Sequence, residues 1–329
     1  MRIVVNGASG FVGTELVEFL AKEGIGGIAT SRTGGLVVPD KWEARKRKAI
    51  LGGEDPSSVA ADLLVHLEVK HHVTNPTQDD EQLFRSVNVS GLSEWLAWCD
   101  RYSVRKLIYF SSIKAVKPGP SVVDEDARGP GDSAYGRSKW QAEELVRQWA
   151  NQGEGRKAII FRPAVIYGPG NRANMYSFVS AIHRNRFFLV GGSRNVKSVV
   201  SLQNVVRAVL HLATRMTSGV QVYNLVDREN FSVAALARII SESLGKRGRI
   251  YSIPSLLARL LAVLGDTIQT VSGTNMPLTR DRLNALLEHT EFSSRRLQQT
   301  GYQHNQSTKD GLRTLVDWYL KDLESGKRE

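Results

Sequence analysis

The run Val4-Val5-Asn6-Gly7-Ala8-Ser9-Gly10-Phe11-Val12-Gly13 constrains this chain more than any other stretch. Ile3-Val4-Val5 is a short apolar run ended by Asn6-Gly7 and reads as a buried strand. Thr14 to Lys22 then places Leu16, Val17, Phe19 and Leu20 at helical spacing. Between them stand three glycines, each with a physical task. One permits the tight turn, one lets backbone approach a pyrophosphate, and one lets the helix pack close to the sheet. Free N–H groups in the first helical turn then meet phosphate charge. The loop predicts a dinucleotide site at Gly7, Ser9, Gly10, Phe11, Val12 and Gly13, with G-x-x-G-x-x-G spacing rather than the more usual G-x-G-x-x-G.

Strand-like and helix-like segments alternate after the loop. Ile28-Ala29-Thr30, Asp62 to Leu67, Lys106 to Phe110 and Lys157 to Phe161 read as strands; Glu81 to Arg101 and Ser133 to Gln152 read as helices. Alternation of this kind predicts parallel βαβ units. The expected fold is α/β, a Rossmann-type doubly wound parallel sheet with a smaller, irregular C-terminal substrate domain. Its expected extent is 1–168 for the dinucleotide-binding domain, with a return segment at 196–226, and 169–195 plus 227–329 for the substrate domain. Helical stretches are expected at Ser232 to Leu244 and Ser255 to Leu264. Arg45-Lys46-Arg47-Lys48, with no aromatic interleaved, reads as a solvated lead-in to a strand.

Composition limits the function classes. The chain has 329 residues with 44 Lys+Arg against 33 Asp+Glu, a net charge of +11. That excess points to anionic partners, among them phosphorylated small molecules, nucleic acid and lipid surfaces. The single cysteine, Cys99, excludes an internal disulfide and a Cys-based zinc site, and no metal is expected. No apolar run reaches the roughly 20 residues of a membrane span. The first strand begins two residues after Met1, so no leader is expected and the cytoplasm is the expected compartment.

Two further patterns carry chemistry. At the end of the second strand, Ser31-Arg32 stands where a carboxylate would bind the ribose 2′-OH. A hydroxyl beside a guanidinium suits a 2′-phosphate, so NADP(H) is expected over NAD(H). Tyr135 and Lys139 are four apart on a predicted helix and share a face. A phenol of pKa about 10 is a poor base at neutral pH, and a nearby ammonium would lower that value. The pair could then exchange a proton with an alcohol or carbonyl. Ser111 and Ser112 end the preceding strand; Ser112 is the candidate oxygen-holding hydroxyl and Ser111 the alternative in register.

These residues resemble the extended short-chain dehydrogenase/reductase family of nucleotide-sugar epimerases, dehydratases and reductases. Phe110-Ser-Ser-Ile-Lys114, Tyr135-Gly-Arg-Ser-Lys-Trp140 and Tyr167-Gly-Pro-Gly-Asn-Arg-Ala-Asn174 are most similar to bacterial surface-polysaccharide enzymes acting on UDP-N-acetylhexosamines. The resemblance implies Tyr135 as acid/base, Lys139 as its partner and Ser112 as donor to the substrate oxygen. It implies cofactor contacts at Leu67 and Pro163, a shaping role for Asn88, and substrate contacts at Asn174 and at Arg280 or Arg282. Departures are Glu68 where relatives carry alanine, Gly52-Gly53 where an aspartate recognises adenine, and Gln203 where an aspartate is common.

The expected activity is therefore oxidoreduction at C4 of a UDP-sugar. Ser31-Arg32 tilts the expectation to reduction of a UDP-4-keto-6-deoxy-N-acetylhexosamine by NADPH in polysaccharide biosynthesis. The alternatives are a UDP-N-acetylglucosamine or UDP-glucose 4-epimerase and a non-catalytic NADP-binding regulator. A homodimer through the helices carrying Trp95, Trp98, Trp140 and Trp149 is expected, with no nucleic-acid partner and only weak attraction to a membrane surface.

Overall fold

The computed structural model describes residues 1–53, 60–71, 77–119, 121–246, 250–273, 276 and 278–326. The first half runs β1 (Arg2–Asn6), α1 (Phe11–Lys22), β2 (Gly26–Ser31), β3 (Trp42–Lys46), α2 (Arg47–Leu51), β4 (Leu63–His66), α3 (Gln78–Phe84), α4 (Gly91–Arg101), β5 (Lys106–Phe110), α5 (Ala134–Gln152) and β6 (Lys157–Pro163). It continues with β7 (Val165–Tyr167), α6 (Asn174–His183), β8 (Leu189–Val190), β9 (Val196–Lys197), β10 (Val199–Ser201), α7 (Leu202–Ala213) and β11 (Gly219–Leu225). The rest is β12 (Phe231–Ser232), α8 (Val233–Ser243), β13 (Ser252–Ile253), α9 (Ser255–Ser272), α10 (Arg280–Leu287), α11 (Arg295–Gln299) and α12 (Thr308–Ser325).

Seven parallel strands form one sheet in the order β11-β6-β5-β4-β1-β2-β3. The order reverses direction between β1 and β4, which makes the crevice at their carboxyl ends the ligand-binding position of such a sheet. Both faces are covered, so the central strands β1, β4, β5 and β6 are buried along most of their length rather than alternating, while the edge strand β3 is polar. Ile3, Val5 and Val65 pack beneath α1 and α7, while Val4, Leu64 and Tyr109 pack beneath α4 and α5. A separate cluster joins α6, α8 and α12 through Val179, Leu236 and Leu315.

Three expectations change. The Glu81 to Arg101 helix is interrupted by a π-helical turn at Arg85–Ser90, which shifts the register so that Asn88 points inward and is buried. Arg45 to Lys48 does not precede a strand; it ends β3 and begins α2. The tryptophans Trp95, Trp98 and Trp149 belong to the core under the sheet, and Trp140 is half-buried. The Ser255 to Leu264 helix is real and longer, continuing to Ser272.

Candidate active site

The glycine loop has the geometry its spacing demands. Gly7 has φ +84°, and a Cβ there would lie 2.8 Å from the Glu68 backbone nitrogen. A Cβ on Gly13 would lie 2.3 Å from the Gly7 carbonyl oxygen, so only glycine lets α1 approach β1 this closely. Gly10 faces open space except for the Gly7 oxygen at 3.3 Å. It is also the N-cap of α1, and no side chain caps that end. Uncapped amides above a cleared surface fit the pyrophosphate of a dinucleotide. Ser9 is exposed there, Phe11 and Val12 are half-buried, and the Phe11 ring lies beside Gly168 and Gly170.

The ends of β1, β2 and β4 hold a polar network. Asn6 Nδ2 donates to His66 Nδ1 (3.1 Å) and to Glu68 Oε2 (3.1 Å), and Thr30 Oγ1 donates to Asn6 Oδ1 (2.9 Å). His66 is fully buried; desolvation, then Lys139 and Arg47, pull it down to about 3, so it is neutral. Ser31 Oγ accepts from the Gly34 N–H at 2.9 Å. Arg32, largely exposed, meets Glu68 at 3.5 Å, and Arg47 meets the other oxygen of Glu68 at 3.0 Å. The Ser31-Arg32 pair is therefore not a bare phosphate receptor: the Glu68 carboxylate, just past β4, stands between its arginine and Arg47.

Tyr135 and Lys139 both lie on the buried face of α5. Lys139 Nζ donates to the Phe110 carbonyl (2.7 Å) and to Tyr109 Oη (3.1 Å), which ties it to the end of β5. Burial pulls its ammonium down to about 7, and the Glu143 carboxylate works in the opposite direction. Tyr135 packs edge-on against Phe84, with ring centroids 5.8 Å apart. Burial pushes its phenol up to about 12, opposed by a hydrogen bond with the Ser112 side chain. The expected lowering by Lys139 is not seen: its amine is held by the end of β5, and desolvation penalises phenolate. At neutral pH Tyr135 carries its proton.

The two serines separate by their partners. Ser111 is buried and donates to Glu143 Oε1 at 2.6 Å. Glu143 in turn receives a bidentate pair from Arg162 Nε (2.9 Å) and Nη2 (2.7 Å). Ser112 caps the 3-10 turn Ile113–Ala115 and reaches Tyr135. Sequence reasoning missed Glu143, although it extends the Tyr135–Lys139 ladder by one more four-residue step. Asn88 links α5 to the segment after β4: Nδ2 donates to Ser138 Oγ (3.0 Å), and Oδ1 accepts from the Lys70 N–H (2.8 Å).

The other candidates lie apart from this centre in what they bind. Leu67 is half-buried just past β4, and Pro163 ends β6. Asn174 is exposed in the first turn of α6. Arg280 is engaged by Asp266 of α9, and Arg282 by the Met276 carbonyl. Two cations went unforeseen. Lys114, two residues past Ser112, and Lys197 of β9 are both held below the usual lysine range by desolvation, and Glu288 lies 3.4 Å from Lys197.

Residues 3–225 match the sequence model of the NAD dependent epimerase/dehydratase family. An Escherichia coli O157:H7 protein named N-acetyl-alpha-D-glucosaminyl-diphospho-ditrans,octacis-undecaprenol 4-epimerase is 28% identical over 319 residues, covering 95% of this chain and 94% of that one. Among solved structures, MoeE5 in complex with UDP-glucose and NAD has a TM-score of 0.74 at 21% identity, over 98% of this chain and all of that one. The human epimerase family protein SDR39U1 with NADPH has a TM-score of 0.74 at 19% identity, over 96% and 99%.

Proposed function

Because the chain belongs to the NAD dependent epimerase/dehydratase family and is an enzyme of it, we propose that it epimerises C4 of an N-acetylhexosamine carried on a diphosphate. The observation that carries this reading is the Ser112–Tyr135 hydrogen bond, with Lys139 one turn away at the open end of the sheet. The diphosphate bears uridine, as expected from sequence, or a polyprenol, as in the name of the Escherichia coli relative.

The nicotinamide, when bound, accepts and returns a hydride. Gly7, Gly10 and Gly13 would hold its pyrophosphate. Ser112 donates to the C4 oxygen and orients it. With an oxidised, cationic nicotinamide bound beside it to draw the phenol back down, Tyr135 would take the C4 hydroxyl proton as phenolate and return it once C4 is inverted. Lys139, anchored on Phe110, places positive charge near the developing phenolate. Lys114, two residues past Ser112, is better disposed than Arg280, Arg282 or Lys197 to meet the diphosphate, since those three are taken by Asp266, the Met276 carbonyl and Glu288.

Net reduction of a 4-keto sugar is the second reading, favoured by the proton that Tyr135 holds at neutral pH. Ser31, Arg32 and Arg47 support NADP(H) for it, whereas Glu68, poised near Arg32 to accept a ribose hydroxyl, supports NAD(H). Purified protein is given UDP-N-acetylglucosamine with NAD, and separately a UDP-4-keto-6-deoxy-N-acetylhexosamine with NADPH. C4 isomerisation with no net cofactor change supports the epimerase; stoichiometric NADPH loss without isomerisation overturns it. Tyr135→Phe lowers kcat by about 10²–10⁴-fold while cofactor affinity stays near wild type; a mutant with full turnover removes Tyr135 from its role.

A further inference from the structure

Helix α9 is built inside out. Its buried positions are Ala258 and Ala262, both fully buried, followed by Gly265, where a Cβ would lie 1.9 Å from the Leu278 carbonyl oxygen. This stripe of small residues seats the helix against Val190 and Leu283. The large residues point the other way. Leu256, Leu260 and Leu264 are 72%, 57% and 57% exposed, and Leu257, Leu261 and Ile268 are also exposed. Soluble helices put leucine in and small or polar residues out. A contiguous apolar face of this kind marks an interaction surface.

Neighbouring segments continue the face. β13 precedes α9 and pairs with β8, and the flanking residues Tyr251 and Phe188 are both exposed. Between residues 183–198 and 250–265 there is no Asp or Glu. Four arginines stand in these stretches, Arg184, Arg186, Arg194 and Arg259, all exposed. The acidic residue that α9 does carry, Asp266, is engaged by Arg280.

We propose that α9, with Phe188 and Tyr251 beside it, docks in the plane of an anionic lipid bilayer. Leucines enter the acyl boundary, the aromatic residues lie at its edge, and the arginines meet lipid phosphates. No helix among the described residues is long and apolar enough to cross a membrane, so the contact is interfacial. A second copy is the poorer occupant. A two-fold contact would set this acid-free, arginine-bearing surface against itself. The docking stands independently of the proposed reaction. One consequence rests on that reaction: a docked enzyme meets a lipid-carried sugar diphosphate at the surface that holds it.

The test is flotation of the full chain with vesicles of phosphatidylglycerol and phosphatidylcholine, and with phosphatidylcholine alone. It needs neither substrate nor turnover, so its failure is distinct from failure of the reaction assay. The protein is expected to float with the anionic vesicles, and raised salt is expected to weaken this. The triple variant Leu256→Ser, Leu260→Ser, Leu264→Ser should lose about 10-fold or more in bound fraction while still binding NAD(P). Arg186→Glu with Arg259→Glu, which leaves the leucines in place, should lose anionic binding as well. Absence of flotation, or flotation of the triple variant at the wild-type level, overturns the proposal. So does a dimer in solution that the triple variant splits while the wild type ignores vesicles.

Discussion

Two of the long helices, α5 and α9, reverse the usual rule in opposite senses. α5 buries Lys139 and Glu143 against the sheet, and α9 buries alanine and turns its leucines to solvent. Polarity does not decide which side of a helix is inside; partners do. Lys139 finds a carbonyl and a phenol, and Glu143 finds a serine and a bidentate arginine. Buried charge is tolerated when each lone pair and proton is met. On α9 the tightest available surface, near Val190 and Leu278, accepts only small residues, so the leucines have no place within the chain. One helix is completed internally by a network, the other awaits a surface.

The largest expected departure comes from breaking the α5 network. Arg162→Ala leaves Glu143 charged and buried, and should cost about 3–5 kcal/mol in denaturant unfolding. A loss below 1 kcal/mol would mean that the pair does not hold α5 to β6. Next is the seat of α9. Ala262→Leu inserts bulk at a fully buried position and should destabilise by about 1–3 kcal/mol, with a lower Tm. If it is neutral, the small-residue stripe is not what positions the helix.

Acid tests the α5 side from below. His66 titrates near 3 when folded and near 6.5 as a free side chain, so the unfolded chain binds the extra proton between those values. Stability should be unaffected by this group above pH 6.5 and fall as pH drops towards 3, by at most about 1.4 kcal/mol per pH unit. The difference between wild type and His66→Asn over that window measures the effect, and identical slopes refute it. The smallest change is expected on the α9 face. Leu260→Ser should alter unfolding free energy by no more than about 0.5 kcal/mol, because no partner within the chain is lost. A large loss would show that an intramolecular contact covers the leucine.

Much of the cofactor half was readable in advance because its signals are local. The glycine spacing acts within one turn, and the apolar runs of β1, β4, β5 and β6 register burial on both faces of a parallel sheet. β3 was missed because Trp42-Glu43-Ala44-Arg45-Lys46 is a polar edge strand, with only Trp42 buried. Arg32 was legible as a cation, but its counter-charge Glu68 arrives from the segment that follows β4. The serine register was open for the same reason: Ser111 and Ser112 are adjacent and alike, and their partners on α5 distinguish them.

By itself, the sequence determined the α/β class, the dinucleotide loop and the Tyr135/Lys139 pair, since each is written in spacings shorter than one helix and strand. Tertiary structure alone decided that Ser111 serves Glu143 while Ser112 serves Tyr135, that Glu68 tempers Arg32, and that α9 faces outward. Those outcomes depend on which distant groups share a buried volume, and burial sets both the proton on Tyr135 and the side on which a leucine must lie.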